Sequence, residues 1–579
     1  MKVFWLLVGS SWLCVSCSKS DSDSKDTSIP DSPIDSDTSD GALPTVQQFE
    51  IEGENCENPV SGIARFIESS ANRGLTLPIP SIVSSNPNQN PPMGRGGSVI
   101  AQDFDADGDT DLLFHPLYED PWLYLNDGIG NFERLEIEFP NHPGAYFGGI
   151  TAAAATDLNG DFIPEILVVG PAYAGIYWTS STGWGLAQTI HEDERPTRHR
   201  MQSTPFASYL SFTVGDLDGD GDLDVFLPGT GSIAEGNPNE AGGLDYVLLQ
   251  DNTQFTLVQT LDAGEGGSRT MVALITDRDG DGDQDIFVPA DGGPPSAFWR
   301  NDGPDGAGAL ALVNDAAEIY ANLDMAAMGI DSADLNGDGL LDYCITDRAR
   351  PRCLLSSSNG SYAESGQSIG VTVAEPASTQ FTTTGWSIDF ADLDNDGFLD
   401  IFQSSGPEGD ADSQGIDGFP DLLWTGSASN QFTDVSLESG LGHTNDHYGH
   451  AIADFNRDGW LDLVVVGPET TPKLYMNQCG EAHWITVDLI GPAANTEAIG
   501  ARLEANLEHR TDTREITNLR AQGQNPSLLH YGLGDSETVP SIRVIWPDGR
   551  IEIARNLAAN THYTFVHPDA DLPPWLENQ

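Results

Sequence analysis

The nine residues DLDGDGDLD, from Asp216 to Asp224, decide the fold of this chain because they return six more times in related form. The seven copies, named loops 1 to 7 in chain order, start 54 to 62 residues apart. A regular period of this length indicates a repeat architecture. In chain order the copies are DFDADGDTD from Asp103, DLNGDFIPE from Asp157, DLDGDGDLD from Asp216, DRDGDGDQD from Asp277, DLNGDGLLD from Asp334, DLDNDGFLD from Asp392 and DFNRDGWLD from Asp454.

Short segments rich in β-branched and aromatic residues surround each loop, and such segments are typical of β-strands. Examples are SFTVG at 211–215, DVFLPG at 224–229, WLYLND at 122–127 and QFTLVQT at 254–260. Each repeat is therefore predicted to hold about four strands, with the acidic loop between the first and the second. Four-stranded units repeated seven times predict an all-β fold, a seven-bladed β-propeller.

The last repeat lacks a fourth strand of its own, because its third segment, KLYMNQ, runs straight into Cys479. Upstream of loop 1, residues 66–75 repeat the Phe, Ser, Gly and Leu spacing of residues 432–441, which close the sixth repeat. We therefore expect the region 46–94 to supply the closing strand of the last blade, in a propeller that covers residues 95–480.

The loops themselves predict calcium sites, because Ca²⁺ prefers hard oxygen ligands. Positions 1, 3, 5 and 9 are Asp, Asn or Glu in every copy, position 7 offers a backbone carbonyl, and position 6 is Gly in six of the seven. An EF-hand is excluded, since position 12 is never acidic and a strand follows. Asp, Asn and Gly also make ordinary turns, but turns do not need alternating carboxylates. Up to seven Ca²⁺ ions are expected, with loop 2 the weakest site. The expected ligands are Asp103, Asp105, Asp107, Asp109 and Asp111; Asp157, Asn159, Asp161, Ile163 and Glu165; Asp216, Asp218, Asp220, Asp222 and Asp224; Asp277, Asp279, Asp281, Asp283 and Asp285; Asp334, Asn336, Asp338, Leu340 and Asp342; Asp392, Asp394, Asp396, Phe398 and Asp400; Asp454, Asn456, Asp458, Trp460 and Asp462.

The N-terminus predicts export. Residues 1–17 carry Lys2 and then an apolar run that is too short to span a bilayer, as in a signal peptide. The run ends near Cys17 in a sequence similar to a bacterial lipobox, with Cys17 as the lipidated residue; the alternative is an ordinary cleaved signal. Residues 18–45 consist largely of Ser, Asp, Thr and Pro, which predicts a disordered acidic linker. An outer-membrane or cell-surface lipoprotein is expected, with secretion as the alternative.

Four cysteines remain after the signal, and an even number in an exported chain indicates disulfides. Cys344 and Cys353 flank a short stretch, so a bond between them would staple a hairpin. The closing strand predicted near residue 66 would place Cys56 close to Cys479. A second disulfide, between Cys56 and Cys479, is therefore expected to lock the last blade.

The overall charge excludes some classes of partner. The formal net charge is −64, from 89 acidic and 25 basic residues. A phosphate backbone or an anionic lipid surface requires clustered Lys and Arg, and no such stripe is visible. We therefore expect no nucleic-acid partner, and membrane contact only through an N-terminal lipid anchor.

The loops resemble those of FG-GAP and VCBS repeats, as in integrin α-subunit propellers. Three later motifs, AIGAR from Ala498, HYGLG from His530 and VIWPDG from Val544, resemble the ASPIC/UnbV domain, which follows such propellers in bacterial exported proteins and in cartilage acidic protein. The resemblance implies an extracellular, calcium-dependent propeller, a small β-rich domain over residues 481–567 and a tail over 568–579. It implies no established reaction.

No catalytic constellation stands out, and no catalytic residue is assigned. His443, His447 and His450 could form a metal cluster, but their spacing does not match a helical zinc motif, and solvated or channel-lining histidines are the alternative. The sequence thus favours a surface-tethered, calcium-binding module for adhesion to an unknown extracellular protein or glycan. The alternative is an exported carbohydrate-active or other enzyme that uses the channel mouth.

Overall fold

The computed structural model is almost entirely β. It describes residues 46–49, 64–76, 98–115, 121–135, 152–170, 173–178, 185–192, 211–229, 244–262, 270–292, 295–304, 309–373, 383–406, 419–442, 446–467, 471–518 and 522–577. Strands of the repeat region are β2 (Phe66–Glu68), β3 (Ser98–Gln102), β4 (Asp111–His115), β5 (Trp122–Asn126), β6 (Phe132–Leu135), β7 (Ala152–Thr156), β8 (Glu165–Gly170), β9 (Tyr173–Trp178), β10 (Gly185–Glu192), β11 (Thr213–Gly215), β12 (Asp224–Leu227), β13 (Asp245–Asp251), β14 (Gln254–Leu261), β15 (Leu274–Thr276), β16 (Asp285–Val288), β17 (Ala297–Pro304), β18 (Leu310–Asn314), β19 (Ile330–Ala333), β20 (Asp342–Ile345), β21 (Arg352–Ser356), β22 (Tyr362–Glu364), β23 (Thr384–Ala391), β24 (Asp400–Gly406), β25 (Leu422–Thr425), β26 (Thr433–Asp434), β27 (Gly449–Ala453), β28 (Asp462–Val466) and β29 (Lys473–Asn477). The remaining elements are β1 (Val46–Phe49), β30 (His483–Ile490), β31 (Arg502–Asn506), β32 (Thr511–Glu515), β33 (Gly523–Gln524), β34 (Leu529–Gly534), β35 (Thr538–Ile545), β36 (Ile551–Ala558), β37 (Thr561–Val566) and the short helices α1 (Ser436–Ser439) and α2 (Pro574–Glu577).

Each acidic loop joins the first two strands of its own antiparallel sheet, as predicted. Sheets 1 to 7 are named after the loops that they carry. Sheets 2 to 6 consist of four consecutive strands each, from β7 to β26. Sheet 1 contains β3 to β6 together with β33, and sheet 7 contains β27 to β29 together with β2.

Sheet 7 is completed from upstream of loop 1. Strand β2 pairs antiparallel with β29, with Phe66 opposite Asn477. The backbone N–H of Gln478 donates to the Arg65 carbonyl at 2.8 Å and extends the pairing. This is the strand that the repeated spacing around Phe66 led us to expect.

Consecutive sheets share apolar cores, because their strands are buried on both faces. Ile100 of sheet 1 packs in one cluster with Ile166 of sheet 2, and Val99 of sheet 1 packs in another with Val464 of sheet 7. Each such buried side chain contributes about 1.5–3 kcal/mol of transfer free energy. Sheet 7 therefore packs against sheet 1, and β27 contacts β3.

Side-chain amides at the ends of third strands join consecutive sheets. Each amide donates to the backbone carbonyl at position 2 of the preceding loop, and we name these contacts amide latches. The latches are Gln250 to Leu158 at 3.2 Å, Asn301 to Leu217 at 2.8 Å, Asn477 to Leu393 at 2.8 Å and Asn126 to Phe455 at 2.9 Å. The last one runs from sheet 1 to sheet 7.

A C-terminal domain follows sheet 7 and consists of two further sheets, one of which takes its edge strand β1 from the region 46–94, so that only β2 of this region completes the last blade. One has the order β1-β37-β30-β34 and the other β32-β31-β35-β36. Strand β33 leaves this domain and pairs parallel with β3 of sheet 1, with Gly523 opposite Val99. Among the described residues, no helix is both long and apolar enough to cross a membrane.

The disulfide between Cys344 and Cys353 is present, as predicted. The two residues face each other across β20 and β21, with their Cα atoms 4.1 Å apart. Cys479 is also disulfide-bonded. Cys56 lies outside the described residues, so its pairing with Cys479 stays a prediction. The signal, Cys17 and the linker before residue 46 lie outside them as well.

Candidate metal centres

The first and last carboxylates of each loop hold its backbone in place, and loop 3 illustrates the pattern. Asp216 accepts hydrogen bonds from the N–H groups of Gly219 at 2.8 Å and Gly221 at 3.0 Å. Asp224 accepts one from Leu217 at 2.8 Å and one from Gln250, at the end of the third strand, at 2.9 Å. The loop is thus tied to its own sheet through Asp224.

Four loops bring three carboxylates together, with one oxygen from each lying within 4.8 Å of the others. The four sets are Asp103, Asp105 and Asp111 in loop 1; Asp216, Asp218 and Asp224 in loop 3; Asp277, Asp279 and Asp281 in loop 4; and Asp392, Asp394 and Asp400 in loop 6. Crowding like charges in this way without a cation costs several kcal/mol. The described residues contain no such group with a His or Cys member.

The pKa values of these acids are raised, chiefly by burial and to a lesser degree by crowding. In loop 3, burial raises the pKa of Asp216 to about 6 and that of Asp224 to about 8, and the charge of Asp218 adds to both. In loop 6, burial raises the pKa of Asp392 and Asp400 well above the usual range, and repulsion from neighbouring acids of the loop adds to it.

Two buried oxygens at position 3 point to a missing ligand. Oδ1 of Asp105 and Oδ1 of Asp394 are buried and have no hydrogen-bond partner within the described part of the chain. Burying such an oxygen unpaired is costly, whereas a bound cation would satisfy it. The oxygen-only donor set and the nine-residue turn both fit Ca²⁺. These loops therefore fit the ion that the sequence predicts.

Loops 5 and 7 carry Asn at position 3 but keep acids at positions 1 and 9. Burial raises the pKa of Asp334 to about 6 and that of Asp342 to about 7 in loop 5. It also raises the pKa of Asp454 and Asp462 in loop 7 well above the usual range. Both loops thus hold buried acids that a cation would stabilise in their charged form.

Loop 2 satisfies its own polar groups. Asn159 Nδ2 donates to Glu165 at 2.7 Å, and Glu165 also accepts from the Leu158 N–H at 2.9 Å. Asp157 Oδ2 accepts from the Phe162 N–H at 2.7 Å and from the Thr496 hydroxyl at 2.8 Å. The potential ligands of loop 2 bond to each other and to the C-terminal domain. Loop 2 is therefore the least suited of the seven loops to bind a cation.

The C-terminal domain covers most of the acidic loops, which the sequence did not suggest. In loop 4, Glu515 accepts from the Asp277 N–H at 2.9 Å. In loop 5, Arg510 donates to the Asp334 carbonyl at 2.6 Å. In loop 7, Trp484 lies against Gly459 so closely that an added Cβ would overlap the indole. The domain therefore packs on the loop side of the sheets.

The C-terminal domain also covers loop 6. His530 Nε2 lies 2.7 Å from Asn395 Oδ1, and the Gly534 N–H donates to the Asn395 carbonyl at 2.8 Å. A Cβ on Gly532 would lie 2.2 Å from Asp392 Oδ2, so glycine is required there for the close approach. This contact places the C-terminal domain directly on a predicted calcium ligand.

Loop 3 is open by contrast. Space in front of Gly219 and Gly221 is empty to 4 Å. Between loop 3 and the C-terminal domain, the described residues make no hydrogen bond or ion pair. Loops 3 and 6 therefore present nearly the same motif in two environments.

A polar segment of the C-terminal domain, residues 522–527, enters between the first strands of several sheets. Gln524 exchanges two hydrogen bonds with the backbone of Ala155 in sheet 2, at 2.8 and 2.5 Å. Asn525 accepts from the Ile452 N–H of sheet 7 at 2.8 Å and donates to Asp389 of sheet 6 at 2.8 Å. Together with the β33–β3 pairing, these contacts reach four sheets.

The histidines of the GHTNDHYGH stretch are paired with acids instead of with each other. His447 Nδ1 lies 2.5 Å from Asp421, and His450 Nε2 lies 2.6 Å from Asp389. Both rings are buried, at 1% and 0% exposure. His443 lies outside the described residues. The structure places these histidines in the interior and does not bring the described pair into one metal site.

Comparison with known families supports the sequence motifs. The FG-GAP-like repeat family matches residues 103–168, 157–227, 277–345 and 334–402. The ASPIC and UnbV family matches residues 491–572. Between them, these matches include loops 1 to 6 and most of the C-terminal domain.

The curated relatives have a low sequence identity to this chain, but the similarity extends over most of both sequences. Cartilage acidic protein 1 of Homo sapiens is 23% identical over 526 residues, which cover 83% of this chain and 72% of the relative. The Mus musculus protein is 22% identical over 547 residues, covering 86% and 77%. Among solved structures, an Agrocybe aegerita lectin that recognises non-reducing terminal N-acetylglucosamine is 16% identical, with a TM-score of 0.37, covering 64% of this chain and 88% of the lectin. A TM-score of this size carries no argument about function.

Proposed function

Because this chain combines FG-GAP-like repeats with a C-terminal ASPIC and UnbV domain, we propose that it is an exported, calcium-stabilised propeller of seven blades that acts as a binding module. The blade number is supported by the seven loop-bearing sheets and by the contact of sheet 7 with sheet 1. A β-propeller buries the edges of its sheets by radial repetition, which suits a stable extracellular scaffold.

The observation that carries the calcium role is the set of buried position-3 oxygens. Asp105 and Asp394 each leave one such oxygen without a partner, beside two further carboxylates. An ion bound there would be held by positions 1, 3, 5 and 9 and by the backbone carbonyl at position 7, and would supply positive charge. Its role is structural, because it would fasten the turn between two strands in each blade.

Export is supported by the disulfide between Cys344 and Cys353, since such bonds persist in oxidising compartments. With Cys17 lipidated, the linker would hold the propeller at the cell surface. Labelling of intact cells with an antibody to the C-terminal domain tests this. We expect the antibody to label the surface of intact cells, and we expect a Cys17→Ser variant to be released into the medium instead. Labelling that appears only after lysis would contradict export to the surface.

Calcium binding is tested by titration calorimetry on the purified protein, with magnesium as the control ion. We expect at least four calcium sites, matching the four carboxylate sets, and much weaker magnesium binding, because Mg²⁺ demands a tighter octahedral shell. Binding of extracellular proteins and glycans, compared with and without calcium on an array, then tests the role as a binding module. A ligand that binds the calcium-loaded protein and is lost on chelation supports it, and a protein that binds nothing on the array would contradict it.

A further inference from the structure

A cleft of about 450 Å³ lies between the C-terminal domain and loops 1, 2 and 7. Small-molecule sites in proteins usually measure about 300–1,000 Å³ and often lie where two domains meet. We name it the interdomain cleft. Its lining includes Pro526 and Ser527, at the end of the segment 522–527 that contacts the first strands.

One face of a sheet supplies part of the polar lining of this cleft, and acidic side chains of loops 1, 2 and 7 together with Glu497 supply most of the rest. Trp484, Thr486 and Asp488 alternate along β30 and therefore point to the same side. His562 and Thr564 lie opposite Thr486 and Asp488 on the parallel strand β37. This pattern aligns neutral hydroxyls, one imidazole and one carboxylate in two adjacent rows.

The polar groups on that face differ in the hydrogen-bond partners that the protein gives them. His562 lies 2.8 Å from the Thr486 hydroxyl and 3.2 Å from that of Thr564, so both ring nitrogens face hydroxyls. Burial lowers the pKa of His562 to about 4 and keeps the ring neutral. The Asp488 carboxylate accepts a hydrogen bond from the Leu489 backbone N–H and has no side-chain partner among the described residues, and burial raises its pKa to about 6. Asp488 therefore has further acceptor capacity on the cleft side.

Aromatic rings border the same cleft. Phe162 of loop 2 meets Trp575 of α2 edge to face, with ring centroids 6.3 Å apart. Phe162 stands where six loops have Gly, and its φ of +65° lies in the left-handed region, which is unfavourable for a side chain with a Cβ. Such strain is concentrated at functional sites. Loop 2 thus departs from the calcium motif at the residue that lines the cleft.

We propose that the interdomain cleft binds a neutral saccharide, whose ring would lie against the aromatic side chains while its hydroxyls meet Thr486, Asp488 and Thr564. An acidic ligand is disfavoured, because Arg457 is the one basic side chain in the lining and already pairs with Asp109 and the Gly108 carbonyl. A purely apolar ligand would bury the Asp488 carboxylate with only the Leu489 N–H as a partner, which is costly. This inference rests on the proposed binding function and names its ligand class.

The test uses the full chain, loaded with calcium, on an array of neutral, amino and acidic oligosaccharides and simple amines, with calorimetry on each hit. Trp575→Ala removes an aromatic side chain of the cleft lining, and Asp488→Asn removes the carboxylate charge while keeping the size of the side chain. Tyr320→Ala is the matched control, since Tyr320 is an aromatic residue, 67% exposed, outside the cleft lining. We expect a neutral saccharide to bind, about tenfold or more weaker binding in both cleft variants, since one lost polar or stacking contact is worth about 1.4 kcal/mol or more, and no change in Tyr320→Ala.

Melting curves of each variant with calcium separate folding from binding. Equal melting temperatures with lost binding support the saccharide site. Failure of every neutral saccharide, binding of amines or acidic sugars alone, or hits that neither cleft variant weakens would overturn the inference. If calcium still raises the melting temperature in that case, the proposed calcium-stabilised module stands while the saccharide site falls.

Discussion

Loops 3 and 6 contain nearly the same nine residues, DLDGDGDLD and DLDNDGFLD, but they lie in different surroundings. Loop 3 is open, with Asp216 half-buried, whereas Asp392 of loop 6 is 2% exposed beneath the C-terminal domain. Both loops assemble three carboxylates within 4.8 Å. The nine-residue motif is thus sufficient to bring the carboxylates together. Packing of the C-terminal domain then sets how much free energy their negative charge costs when no cation is bound.

The largest expected difference between the two loops follows removal of the first ligand. In calcium, Asp392→Asn should lower the free energy of unfolding by about 3 kcal/mol, and Asp216→Asn by about 1 kcal/mol, because removing one partner of a buried charged site costs more than at an exposed one. Urea unfolding of both variants measures this. Equal losses would show that the covering domain adds nothing to loop 6.

A second comparison changes the packing and leaves the ligands intact. Gly532→Ala would drive a Cβ to 2.2 Å from Asp392 Oδ2, so we expect a loss of about 2–3 kcal/mol and weaker calcium binding at one site. Gly221→Ala in loop 3 meets only empty space but has φ of +96°, so about 1–2 kcal/mol of backbone strain is expected. Thermal unfolding and calorimetry of the two variants report both effects. A tolerated Gly532→Ala would contradict the close docking on loop 6.

The amide latches provide a control, because the same kind of contact is present at loop 3 and at loop 6. Asn301 donates to the Leu217 carbonyl of loop 3, and Asn477 donates to the Leu393 carbonyl of loop 6. Each Asn→Ala change leaves a buried carbonyl unpaired, so both should lower the free energy of unfolding by about 1–3 kcal/mol and by similar amounts. A much larger loss of stability in the Asn477 variant would mean that loop 6 differs from loop 3 in its contact with the neighbouring sheet rather than in its cover by the C-terminal domain.

A further expected effect concerns pH in protein stripped of metal. Since burial raises the pKa of Asp216 to about 6 and that of Asp224 to about 8, from 3.8 when unfolded, the folded state binds these protons more tightly. The stabilisation is complete below pH 4 and is lost as the pH rises through 6 and 8. Urea midpoints at pH 5, 6.5 and 8 should therefore fall with rising pH, and calcium should flatten the trend. A midpoint that rises with pH would contradict the assigned direction.

The local sequence pattern was sufficient to predict the repeats, but it did not predict how the C-terminal domain packs on them. The strand–loop–strand unit and the strand at Phe66 are visible because each repeats a spacing found elsewhere in the chain. The amide latches recur as Asn126, Asn301 and Asn477 in third strands, so a signal for them was present in the repeats. Gln524 and Ala155 are 369 residues apart and share no period, so only the folded structure brings them together.

The measurement that tests the central account most directly is the melting temperature of the purified protein before and after calcium removal, with bound calcium counted by elemental analysis. At free calcium about 100-fold above Kd, each site adds about 2.7 kcal/mol to native stability. We therefore predict at least four ions per chain, matching the four carboxylate sets, and a fall of about 10 °C or more on chelation that added calcium reverses. Superimposable melting curves, with no calcium in the protein, would contradict the account.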